Sequence, residues 1–93
     1  MLESEHERIF RLGVKSLGGL CWKFTSPGTR GVPDRIVVMP GGKVFFVELK
    51  RSGGSLSKIQ EHRLGELEAR GASAYVVEGA EGVERMLEVL REV

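Results

Sequence analysis

The chain has 93 residues, 41% of them hydrophobic and 29% charged, with a net charge of +1. That composition describes a soluble globular protein of one domain, residues 1–93, and excludes a disordered chain. No apolar run approaches the roughly 20 residues of a membrane span. The acidic start, Met1 to Glu7, lacks the apolar core of an export signal, and Cys21 is the only cysteine; both fit a cytoplasmic protein with no disulfide and no cysteine-held zinc.

Residues 4–18 predict a first helix. Ile9, Phe10, Gly13, Val14 and Leu17 share one face with His6 beside them, and Leu12 lies off that stripe as an expected subunit contact. Ser4 and Glu7 have capping-box spacing, and Gly18-Gly19 stops the helix. Leu20 to Thr25 reads as a strand in which Cys21 is buried and Trp22 and Phe24 serve the core or a dimer contact rather than base stacking. A turn-rich loop, Ser26 to Val32, delivers the chain to Pro33-Asp34.

Arg35 to Met39 and Lys43 to Lys50 are two strands joined by Pro40-Gly41-Gly42. The hairpin brings Asp34, at the start of one strand, to Glu48, near the end of the other. Side chains alternate along a strand, so Lys50 lies on the same side as Glu48. Two carboxylates are suited to a hard divalent cation, and an adjacent lysine to orienting an attacking water or stabilising charge on a phosphate. The pattern points to metal-assisted cleavage of a phosphodiester by Asp34, Glu48 and Lys50. Oxygen ligands favour Mg²⁺ or Mn²⁺ over zinc.

Helix 2 is expected over 58–70, with Ser57 and Gln60 as a capping box and Gly71 as its stop. Ala72 to Glu78 is a fourth strand, and 80–92 a third helix with Val83, Met86, Leu87 and Leu90 on its apolar stripe. The predicted fold is α/β, in the order α-β-β-β-α-β-α. A crossover between strands 3 and 4 makes that pair parallel, within a mixed four-stranded sheet flanked by helices.

Charge is unevenly spread. Residues 8–63 carry eleven Lys or Arg against three acids, and the acidic excess lies at the two ends. The cations surround the acidic pair, as a binding surface for a phosphate backbone requires. No Gly-x-x-x-x-Gly-Lys phosphate loop or Gly-x-Gly-x-x-Gly fingerprint is present, and no small-molecule cofactor is expected.

Taken in order, Leu17-Gly18-Gly19, Ser26-Pro27-Gly28, Gly31-Val32-Pro33-Asp34-Arg35, Val47-Glu48-Leu49-Lys50 and Leu56-Ser57 with Gln60 resemble the VRR-NUC (virus-type replication-repair nuclease) domain of the PD-(D/E)XK nuclease superfamily. The resemblance covers nearly the whole chain and matches the stand-alone phage or bacterial type. It implies a restriction-endonuclease-like core and a Mg²⁺- or Mn²⁺-dependent endonuclease that resolves four-way (Holliday) junctions as a homodimer. It further implies that the Leu49 carbonyl joins Asp34 and Glu48 as a metal ligand, that a helix 1 acid (Glu7, with Glu3 as competitor) lies over the site, and that Gln60 points toward it. Arg30, Arg35, Arg51 and Lys58 are the candidate phosphate contacts. The alternatives are a flap or branched-DNA nuclease subunit that needs a partner, and a catalytically silent DNA-binding module.

Overall fold

The computed structural model describes residues 3–93. Helix α1 runs Glu5–Ser16, strands β1, β2 and β3 run Leu20–Lys23, Arg35–Val38 and Val44–Lys50, helix α2 runs Lys58–Ala69, strand β4 runs Ser73–Glu78, and helix α3 runs Gly79–Arg91. The element order is the one expected.

The sheet order is β1-β2-β3-β4. The first two pairings are antiparallel and β3 with β4 is parallel. The α2 crossover supplies the length that a parallel connection requires. Both capping boxes form: Ser4 and Glu7 bond reciprocally at the start of α1, and Ser57 and Gln60 at the start of α2. Each satisfies helix-end N–H groups that otherwise lack partners.

Helices α1 and α3 cover one face of the sheet. Phe10 and Val14 from α1 and Val83, Met86, Leu87 and Leu90 from α3 pack on Val37, Phe45, Val47 and Val77. The helices approach closely at Gly13, where a Cβ would stand 2.6 Å from Leu87 Cδ1. Leu64 is the buried residue of α2, which packs against β4 on the other face. That second face is left open over β1 and β2. The register aligns Leu20 with Val38 and Val44, and Trp22 with Ile36 and Phe46, in two apolar rows on the open side.

Three expectations need correction. Of the two roles expected for Trp22, core or dimer contact, its 60% exposure excludes the core, because strand alternation turns it to the open face. Ile9 is 46% exposed, since the buried stripe of α1 narrows to Phe10 and Val14, four residues apart. Cys21 is half-buried rather than buried, on an edge strand.

Candidate active site

The hairpin sets the site. Arg35 pairs with Val47 in the β2–β3 register, so Asp34, one residue earlier, meets the Glu48-Leu49 peptide. Asp34 Oδ2 accepts a hydrogen bond from the Leu49 N–H at 2.9 Å, and the Asp34 carbonyl accepts one from the Phe24 N–H at 2.7 Å. The aspartate is thereby held from both neighbouring strands. Glu48 is 2% exposed. Its Oε2 accepts a bond from Gln60 Nε2 at 3.2 Å and lies 3.6 Å from Lys50 Nζ.

These groups open into a cleft of about 420 Å³ at the end of the sheet, lined also by Glu7, Lys23, Phe24, Thr25, Arg35 and Leu49. A larger groove of about 740 Å³ runs along β4 and the start of α3 past Tyr75, Val76, Met86 and Val89. Volume does not locate the chemistry here: the paired carboxylates and their lysine converge on the smaller cleft.

The electrostatics of the cleft follow from its two acids. Burial pushes the Glu48 carboxyl up to about 7, and the Asp34 charge and a hydrogen bond shared with Asp34 add to that rise; Lys50 pulls in the opposite direction and does not cancel it. Two acids crowd one partly desolvated space with a single lysine as counter-charge. Among the described residues no group of three or more His, Cys, Asp or Glu side chains is placed to hold a metal ion. Asp34 and Glu48 are the two carboxylates that meet in the cleft, with Glu7 also in its lining.

The family model described as the VRR-NUC domain matches residues 7–81. The chain belongs to the VRR-NUC family. Over 65 residues it is 43% identical to the "Putative nuclease p44" of Acyrthosiphon pisum secondary endosymbiont phage 1, a match covering 70% of this chain and 70% of that protein. A solved structure described as a VRR-NUC domain superposes with a TM-score of 0.84, covering 89% of this chain and 90% of the other at 28% identity.

In this VRR-NUC chain Gln60 performs two tasks. Its Oε1 accepts the Ser57 N–H at 2.9 Å while its Nε2 bonds Glu48, so the capping residue also reaches the site. Arg30, Arg51 and Lys58 are exposed. Arg35 is the exception among the expected phosphate contacts: it is 2% exposed, and its Nη2 lies 2.7 Å from Glu7 Oε2. A guanidinium so enclosed does not present itself to a backbone phosphate. Glu7 lines the cleft but is bound to Arg35 and to Ser4. Burial alone would raise its pKa; the bonds to Ser4 and Arg35 outweigh that and hold it low. Glu3 is gripped by Arg11 through two bonds, at 2.8 and 2.9 Å, which lower its pKa.

Arg63 was not anticipated. Its Nε donates to the Arg30 carbonyl at 2.8 Å, tying the loop before Asp34 to α2. It follows Gln60 by three residues, so both lie on one face of α2; that spacing was the available signal.

Proposed function

We propose that this VRR-NUC chain is a divalent-metal-dependent endonuclease that hydrolyses DNA phosphodiester bonds at the Asp34–Glu48–Lys50 cleft. The observation that carries the reading is the convergence of an exposed Asp34, a buried Glu48 and Lys50 on one cleft, with Lys50 Nζ 3.6 Å from Glu48 Oε2. The donor set fits Mg²⁺ or Mn²⁺: such an ion is commonly held by one or two carboxylates and keeps several waters. Asp34 and Glu48 would hold it, with the Leu49 carbonyl as a third oxygen. When bound, the ion supplies Lewis acidity and makes water a stronger nucleophile at neutral pH.

The remaining work belongs to the chain. Gln60 and Lys50 fix the Glu48 carboxylate from two directions, and the Leu49 N–H fixes that of Asp34. Lys50 orients the attacking water and stabilises the negative charge that develops on the phosphate. Arg30, Arg51 and Lys58 contact the flanking phosphates, with Arg63 holding the Arg30 loop in place.

The substrate proposed is a four-way junction, cut by a homodimer. The open apolar face bearing Leu20, Trp22 and Val44 supports self-association: its two rows are apolar up to the edge of the cleft, so they suit a protein surface better than a phosphate backbone. A two-fold dimer would carry two sites to a two-fold junction. A panel of labelled junction, flap, fork, duplex and single-stranded DNA tests this with Mg²⁺, Mn²⁺ or EDTA. Paired, symmetric nicks in the junction are expected. Cutting concentrated on flaps would replace the substrate and keep the chemistry.

A further inference from the structure

The sheet has two edges, and only one is guarded. β1 is four residues long and ends on Lys23; short edge strands and lysines discourage further pairing. β4 is six residues long, contains no proline or lysine, and pairs on one side only, with β3. Its middle is apolar and accessible, with Tyr75 37% and Val76 45% exposed. Strand alternation points these two to opposite faces. Tyr75 packs on Phe45, ring centroids 6.1 Å apart, on the side that α3 covers. The groove of about 740 Å³ follows this edge, walled by Tyr75 from the strand and by Met86 and Val89 from α3.

We propose that β4 and its groove dock an extended segment of a partner protein, added as a further strand, with apolar side chains at alternate positions and Lys or Arg beside them. Main-chain hydrogen bonds to the free edge supply affinity, and the groove supplies selectivity. Charge selects the occupant. Residues 73–93 carry five Glu against two Arg, whereas residues 8–63 carry eleven Lys or Arg against three acids. The β4–α3 side therefore repels a phosphate backbone, and a second copy would set the same acidic surface against itself. Glu81 lines the groove 3.5 Å from Arg85, with side chains 86% and 80% exposed. An ion pair so exposed contributes little and is readily exchanged for one with an incoming cation. The groove shares no lining residue with the catalytic cleft, so the cleft stays open to DNA while a partner holds the chain. Nothing in this surface depends on the metal or on which DNA the cleft takes.

Short peptides selected from a random display library against the full chain supply the probe. The enriched sequences should alternate apolar residues and carry net positive charge. A selected peptide should slow hydrogen exchange at the Ser73–Glu78 amides, as strand addition requires. Glu81→Lys and Val89→Lys, both at exposed positions, should each weaken its binding ~10-fold or more while keeping the wild-type circular dichroism and DNA cleavage rate. Should Val89→Lys not fold, Glu81→Lys still decides the matter. A library that enriches nothing, or enriches acidic peptides, would overturn the inference, as would a bound peptide that leaves exchange in β4 unchanged. Displacement of the peptide by junction DNA would make the groove a nucleic-acid surface instead, and a dimer that Val89→Lys dissociates in sedimentation would give the edge to a second copy.

Discussion

Gly31 is where the loop that delivers Asp34 meets the helix that carries Gln60. Its φ is +82°, a left-handed conformation that costs a residue with a Cβ ~1–2 kcal/mol. A Cβ there would also stand 3.0 Å from both the carbonyl carbon and the oxygen of Ile59. Those are backbone atoms in the first turn of α2, so relief requires moving loop or helix; overpacking of this kind costs ~1–3 kcal/mol. Gly28 is the internal control, with φ +84° and nothing within 4 Å of its would-be Cβ. Gly28→Ala should therefore cost ~1–2 kcal/mol, and Gly31→Ala ~2–5 kcal/mol. At ~4–8 °C per kcal/mol for a domain of this size, the two should differ by ~5–20 °C in Tm by circular dichroism. Gly31→Ala should also cut more slowly well below its Tm, because displacement of Ile59 moves the adjacent Gln60 off Glu48. Equal Tm values for the two variants would refute the claim that close approach, rather than φ alone, fixes this residue as glycine.

Other consequences follow from the same geometry. Glu48, raised from 4.5 to about 7, stays protonated in the fold at pH values where it ionises in the unfolded chain. The stability this lends to metal-free protein is complete below about pH 4.5 and is lost as pH rises toward about 7, on the order of 3 kcal/mol. In EDTA, Glu48→Gln should thus gain in Tm relative to the wild type between those pH values; parallel curves would contradict the raised value. Trp22, the one tryptophan, should be quenched by acrylamide almost as readily as free indole in dilute protein, and be shielded as concentration rises if the open face is the dimer contact. Unchanged quenching alongside a dimer by sedimentation would move the contact elsewhere. Gln60→Ala should reduce cleavage and also destabilise α2 by ~1 kcal/mol through loss of the cap, whereas Gln60→Glu should keep the cap and lose the Glu48 bond, separating the two roles.

The element order and the Asp34–Glu48 convergence were legible because the hairpin is written locally. Gly41 and Gly42 adopt the positive φ values of the turn, and strand alternation then dictates which side chains share a side. The same alternation held information about Arg35 that a count of cations overlooks: it is in phase with Val37, a core position, and out of phase with Asp34. The core alternative for Trp22 failed for a related reason. Aromatic residues in a strand read as core, but which sheet face a helix covers is settled by tertiary packing, and α2 packs on β4 with Gln60 reaching β3, which leaves the face over β1 and β2 open. The pairing of Glu7 with Arg35 spans 28 positions and had no local signal.

The central claim is that Asp34, Glu48 and Lys50 form a hydrolytic centre, and Lys50→Ala tests it most directly. Cleavage of labelled junction DNA in Mg²⁺ should fall by ~10²–10³-fold, while affinity for the same DNA in Ca²⁺ stays close to that of the wild type. Cleavage at the wild-type rate by folded Lys50→Ala protein would contradict the assignment of the site.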